Sequence, residues 1–451
     1  MTDPVALQAR RQPRGLAVAG GEARTWDQWD REIDDAADRL ARAGGGRLAL
    51  RSPDRLELAA LALGAVRAGA TGVLVPARWP DAMASRALAE AGVAGAEARR
   101  DRATHRVAPT EDESGPSLAE MGRSSGALAV FTSGSTGAPR AALLTWDALL
   151  ASAEGVVSHL GLRSGDGWLL DLPVAHVGGL GVVVRCALAG AALVLPDASA
   201  RPTHASLVST QLRRLLDNSP AWARDLRAVL LGGSAIPADL LDRAHGARLP
   251  IATSYGLTEM GSTVTATPVP ASRTDLATSG RVLPGREVRI VDGEIHVRGA
   301  MRCAGFLTRD GLADLSGEDG WLATGDLGRF DGEGRLVVSG RLGLRFVSGG
   351  ENVQPEAIEA ALLAQPGVAE AVVVPVPDRE FGFRPVAFVR SVGGAPPDAA
   401  RLGSDLRALL PGFMVPVAFH AWRGAEGMKP DRRSLSRLSE TLAALARERG
   451  V

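Results

Sequence analysis

Ala127-Leu-Ala-Val-Phe131 runs without a break into Thr132-Ser-Gly-Ser-Thr-Gly-Ala-Pro-Arg140. The apolar run is the right length for a buried strand, and the Ser, Thr, Gly and Pro that follow end it in a loop. Small residues let backbone N–H groups converge on an anion and the hydroxyls add donors, so Thr132, Ser133, Gly134, Ser135, Thr136 and Gly137 read as a phosphate cradle or as a solvated turn. No Gly-Lys-Ser/Thr follows, which excludes a Walker A loop.

Working upstream, Thr25-Trp-Asp-Gln28 reads as a capping box, and Trp26, Trp29, Ile33, Ala37 and Leu40 recur at helical spacing until Gly44. A second helix is expected after Pro53, ending near Gly69 and handing over to the short strand Gly72-Val-Leu-Val75. Residues 97–126 are charged and rich in Ser, Pro and Gly, which predicts a surface connection. Downstream, strands are expected to alternate with helices to about residue 340 as one α/β assembly. Leu336-Val-Val-Ser-Gly-Arg341 then reads as a strand ending at a turn. A helix opening at Pro355, strands at Ala371–Pro375 and Val386–Val389, and a helix near Ser404–Leu410 predict a separate α+β unit of ordinary domain size.

The chain has 451 residues, a prior of about three structural units at ~150 residues each. Lys and Arg total 51 against 51 Asp and Glu, so no global basic field exists to hold nucleic acid or anionic lipid, and an anionic ligand must meet a local site. The two cysteines, Cys186 and Cys303, match no metal spacing and are expected as small core residues of a cytoplasmic protein. The apolar run Leu56–Val75 is interrupted by Glu57 and Arg67, so no membrane insertion is expected. Lys429 is the only lysine; every other basic residue counted is arginine. Codon bias would leave such a remnant, and so would a site that accepts only a compact ammonium.

Two further loops carry chemistry-bearing residues. Tyr255-Gly-Leu-Thr258-Glu259 joins the only tyrosine, whose ring can stack on a base, to a hydroxyl and a carboxylate suited to magnesium beside phosphates. Thr324-Gly-Asp326 offers a carboxylate that could accept two hydrogen bonds from a ribose diol. Each is weak alone.

Their joint order carries more. Thr132–Gly137, Tyr255–Glu259, Thr324–Asp326, Gly340-Arg341, Gly349-Gly350 and Gly427-Met-Lys429 together resemble the adenylate-forming superfamily of acyl-CoA synthetases and adenylation domains. The resemblance implies an α/β adenylate-forming fold: a large multi-subdomain N-terminal domain over 1–340, a hinge over 341–345 at Gly343, and a small mobile α+β C-terminal domain over 346–451. It implies ATP, Mg2+ and CoA as partners and two half-reactions, adenylation of a carboxylate and then thioester formation. By resemblance, Thr132–Gly137 hold the triphosphate; Thr258 and Glu259, with Thr136, serve phosphate and metal; Gly233, Ser234 and Tyr255 flank adenine, with Gly256 among the nucleotide contacts; Asp326 and Arg341 hold ribose. Lys429, His176 and Glu259 are the implied catalytic residues, and Gly349 and Gly350 the implied CoA contacts. Arg140, Gly343 and Ser209 stand where the superfamily or its related ligases commonly have lysine, an acidic residue or lysine, and proline.

Finer strings, Leu172-Pro-Val-Ala-His176-Val-Gly-Gly179, Thr203–Gln211, Val229–Pro237, Leu283–Val288 and Phe381-Gly-Phe-Arg-Pro385, are similar to the branch that joins o-succinylbenzoate to CoA in menaquinone synthesis. That implies an acyl pocket involving Arg185, Ser206, His176 and Gly256. Arg185 interrupts the apolar stretch Leu180–Ala189, where a cation is costly without an anion. An internal salt bridge, a snorkelling edge residue and a ligand carboxylate all remain open for it. Activation of another acid, loading of a carrier protein, a non-catalytic adenylate binder, and monomer versus homodimer also stay open.

Overall fold

The structure, a computed structural model, describes residues 3–43, 46–93, 126–132, 139–233, 236–315, 317–348, 351–378, 380–422 and 431–448. The entry helix Trp26–Arg42 forms as its capping residues direct. Thr25 Oγ1 accepts from the Gln28 amide and Gln28 Oε1 accepts from the Thr25 amide, while Trp26, Trp29, Ile33, Ala37 and Leu40 all turn inward. The next helix, Arg55–Arg67, is apolar around much of its circumference, and Leu58–Ala65 are buried, as that composition requires.

Among the described residues the strands form four sheets. The largest runs Arg281–Val282, Ser262–Ala266, Ile251–Leu257, Ala228–Leu231, His204–Leu207, Gly167–Leu169, Ala192–Val194, Leu16–Ala19 and Arg24–Thr25. Its central strands, from Ile251–Leu257 to Leu16–Ala19, are parallel. Helices Trp146–Leu160 and Val177–Ala189 pack on one face, helices Ser209–Asn218 and Ala238–Gly246 on the other. Both faces are therefore covered, which is why these short strands are nearly all apolar.

A second sheet of six strands carries Ala127–Thr132 between Thr71–Leu74 and Arg140–Thr145. Ala127–Thr132 and Arg140–Thr145 pair antiparallel, with Thr132 opposite Arg140. The expected alternation of helices and strands stops earlier than the sequence suggested. After the four-residue helix Arg273–Leu276 the chain is strands to Arg341, and Arg286–Val291, Glu294–Gly299, Leu322–Phe330 and Leu336–Arg341 make an antiparallel sheet. Asp292-Gly293, both at positive φ, turn the first hairpin, and burial alternates along Glu294–Gly299 as in a half-covered strand.

The fourth sheet, built from Phe346–Ser348, Glu351–Val353, Val368–Asp378, Gly382–Ser391 and Phe419–Ala421, has its own core with helices Pro355–Leu363 and Ala399–Leu409. The predicted surface connection at 97–126 falls almost entirely outside the described residues. Cys186 and Cys303 are free and buried. No helix among the described residues is long and apolar enough to cross a membrane.

Candidate active site

Asp326 lies at the centre of one cluster, and sheet register puts it there. Asp326 and Arg341 are cross-strand neighbours, and Arg341 Nε donates to Asp326 Oδ1 at 2.6 Å while the Tyr255 hydroxyl donates to Oδ2 at 2.8 Å. Thr324 Oγ1 accepts from the Asp326 amide at 3.1 Å and fixes the turn that aims the carboxylate. Burial opposes the Arg341 cation, but Asp326, with Glu259 and Tyr255, outweighs it and raises the pKa. Burial, and then the Asp326 charge, push the Tyr255 phenol up, so it stays a donor. Each Asp326 oxygen keeps further lone-pair capacity for a diol.

Thr258 and Glu259 occupy a short turn, Thr258–Met260, directly after the strand that carries Tyr255. Glu259 is half-buried, and its charge is felt by both Arg341 and Cys303. A lone carboxylate with a hydroxyl beside it fits a magnesium ion whose other ligands are phosphate and water. Gly256 is exposed, and a Cβ there would lie 2.1 Å from the Ser262 carbonyl oxygen, so only glycine allows the two strands this approach.

Thr132 closes its strand with a buried Oγ1 that has no hydrogen-bond partner among the described residues. Ser133, Gly134, Ser135, Thr136 and Gly137 lie outside the described residues, as do Ser234, Gly349, Gly350 and Lys429. Arg140, the residue that replaces a lysine, stacks its guanidinium 4.1 Å from the centre of the Phe306 ring, a contact to which a planar cation is suited. Gly233 follows the strand Ala228–Leu231 at φ 87.

The residues expected from the resemblance at the acyl side gather elsewhere on the large sheet. Trp168, Leu230 and Ala252 share a core with helix Val177–Ala189, and Ser206 stands beside Leu230 in register, so Ser206 faces the same helix. Its hydroxyl is buried without a partner among the described residues. Arg185 projects from that helix and is 1% exposed. Its Nη2 donates to Ser262 Oγ at 3.1 Å, its guanidinium lies 5.4 Å from the Trp168 ring centre, and its Nε has no partner among the described residues. No carboxylate pairs with it among the described residues, which removes the internal salt bridge, and its burial removes snorkelling. Burial and then the nearby Arg286 cation push its pKa down to about 9, which leaves it charged at neutral pH. His176 occupies the N-cap position of the same helix without a side-chain capping bond and is exposed.

Gly343 sits in the turn Leu342–Leu344 between two sheets, with open space where a Cβ would be. Beside it, Gln354 Nε2 donates to the Arg341 carbonyl at 2.9 Å and Glu356 Oε1 accepts from the Arg341 amide at 3.2 Å. Sequence reasoning missed Gln354, Glu356, Trp168, Ser262 and Arg286. Each matters through a contact distant in sequence, and no local pattern marks it.

Two family models match the chain: AMP-binding enzyme over residues 5–307 and AMP-binding enzyme C-terminal domain over 357–425. The 2-succinylbenzoate-CoA ligase of Salmonella typhimurium is 44% identical over 314 residues, 68% of this chain and 67% of that protein. The solved structure of an E. coli MenE variant with bound OSB-AMS superposes with a TM-score of 0.81 at 30% identity, covering 97% of this chain and 99% of the other. Bacillus subtilis o-succinylbenzoate CoA synthetase in complex with ATP and magnesium ion gives 0.78 at 25% identity, covering 94% and 96%. The chain belongs to the AMP-binding enzyme family, in the group of the 2-succinylbenzoate-CoA ligases.

Proposed function

We propose that this chain is an AMP-forming ligase that joins o-succinylbenzoate to CoA. In the first half-reaction a carboxylate oxygen of the acid attacks the α-phosphorus of ATP and pyrophosphate leaves. In the second, the CoA sulfur attacks the acyl carbon and AMP leaves. No covalent bond to the protein is needed in either step. Menaquinone synthesis is the pathway that the resemblance implies.

The residues divide the work as follows. Asp326, held by Tyr255 and Arg341, accepts the ribose hydroxyls, with Gly233 and Ser234 beside the base. Thr132–Gly137 and Thr258 hold phosphate oxygens. Glu259 and Thr136 would hold magnesium, which supplies positive charge to the phosphates when bound. Lys429 places a compact charge between carboxylate and α-phosphate. His176 stands at the acyl end, and Gly349 and Gly350 contact CoA. Residues 346–451 close over 1–340 by turning at 341–345. The buried thiols Cys186 and Cys303 suit a reducing, cytoplasmic setting.

The observation that supports the substrate is Arg185, a buried cation with no protein carboxylate among the described residues. One carboxylate of o-succinylbenzoate is activated while the aromatic one survives, and a buried guanidinium is a suitable counter-charge for it. Pyrophosphate release across aryl, aliphatic and dicarboxylic acids, with and without CoA, tests this. Fastest CoA-ester formation from o-succinylbenzoate is expected, and faster use of a long-chain fatty acid or of benzoate overturns it.

A further inference from the structure

Ser262 opens the strand Ser262–Ala266 at φ 119, directly after Gly261 at φ 61. That side of the backbone map favours glycine, so a serine there is strained unless its surroundings hold it. They hold it from several directions. The Ser262 carbonyl fills the space that the missing Gly256 side chain leaves, at a register shift between Tyr255 and Gly256. The Gly261 carbonyl accepts from Ser152 Oγ at 2.7 Å, and the Thr263 carbonyl accepts from Arg286 Nε at 3.1 Å.

The hydroxyl delivered by this backbone meets a buried charge. Ser262 Oγ accepts from Arg185 Nη2 at 3.1 Å and lies 3.4 Å from Thr263 Oγ1. On the other side, Gly181 leaves room for the guanidinium to fold back along its own helix, since a Cβ there would come within 3.1 Å of Nη2. Arg185 is thus set by Trp168, by Gly181 and by one side-chain acceptor, Ser262, among the described residues. Glycine at 262 would relieve the strain, and what serine adds is the hydroxyl.

We propose that Ser262 is a positioning residue for acyl specificity: its hydroxyl fixes the Arg185 guanidinium so that the remaining donors meet the second carboxylate of an aromatic dicarboxylic acid. This rests on the reading of Arg185 given above. A neutral acceptor suits the task, because a carboxylate at that place would satisfy the guanidinium and compete with the substrate.

The test compares o-succinylbenzoate with 4-oxo-4-phenylbutanoate, which keeps the activated carboxylate and lacks the aromatic one. For Ser262→Gly, which suits φ 119 and folds without strain, the ratio of kcat/KM values, dicarboxylate over monocarboxylate, falls about tenfold through KM for the dicarboxylate. Ser262→Ala gives the same direction. A loss equal on both acids, or none on either, makes Ser262 a packing residue and overturns the inference. Arg185→Ala separates the two levels. If it discriminates between the acids and Ser262→Gly does not, only the positioning role fails. If Arg185→Ala affects both acids equally, the second-carboxylate reading fails and the inference with it.

Discussion

In the role proposed for it, Arg185 is a liability to the fold and a gain to the site. A guanidinium out of water with no ionic partner is costly, and replacing such a charge by a shape-filling apolar side chain is often neutral or stabilising. Arg185→Met should therefore melt at the native temperature or above it without ligands, while o-succinylbenzoate use weakens by ~1–3 kcal/mol, the worth of a charge-assisted contact. Calorimetric melting together with kcat/KM checks both halves, and a destabilised protein with native kinetics would make Arg185 structural. The role proposed for Lys429 is the reverse case, a charge whose shape would matter. Arg's planar fork cannot replace a point ammonium between two oxygens, so Lys429→Ala and Lys429→Arg should each lose adenylation ~10²-fold, the scale for one transition-state charge stabiliser. Thioester formation from pre-made acyl-adenylate should survive in both. Near-native adenylation by Lys429→Arg would mean that the lone lysine is a remnant of codon bias.

At the scale of elements, the strand His204–Leu207 is tied to the end of helix Trp146–Leu160 through His204. This buried imidazole lies 3.2 Å from the Leu160 carbonyl through Nε2 and 2.9 Å from Thr203 Oγ1 through Nδ1, and its ring centre is 5.5 Å from that of Trp168. Burial lowers its pKa below the usual histidine value, a shift that the Leu160 carbonyl only partly opposes. The unfolded chain therefore binds the proton first as pH falls. The stability from neutral His204 is full above about pH 6.5 and drains away as pH drops toward the lower folded pKa. Urea midpoints at pH 7.5 and 5.5 should differ more for the native protein than for His204→Gln. An equal pH dependence in the two would remove His204 as the cause.

At the scale of the whole molecule, the proposed function makes the join between residues 1–340 and 346–451 the place that decides which half-reaction is served. Gly343 has ordinary φ and free space around it, so nothing in this arrangement requires glycine there. A glycine matters at such a place when the chain must visit another conformation. Gly343→Ala should leave the urea midpoint unchanged, whereas Gly343→Pro, which fixes φ near −65°, should slow one half-reaction more than the other. Single-turnover rates for each half-reaction check this, and equal slowing in a folded protein would move the pivot elsewhere.

Much of this protein is written locally. The Thr25 capping box, the apolar run Ala127–Phe131, the Pro355 helix start and the order of the loops around Thr132, Tyr255 and Asp326 are short-range patterns, and each depends on residues that are neighbours in the chain. Where the alternation of helix and strand ends was less legible, because a half-covered antiparallel strand such as Glu294–Gly299 is specified by its partner strands as much as by its own residues. The sequence could say that Arg185 is out of place but not what it touches. Only the packing of helix Val177–Ala189 on the large sheet, with Ser262 delivered from 77 positions away, decided that its neighbours are a hydroxyl and a ring and not a carboxylate. Local propensity is a property of neighbouring residues, whereas the partner of a buried charge depends on which distant surfaces the hydrophobic core brings together.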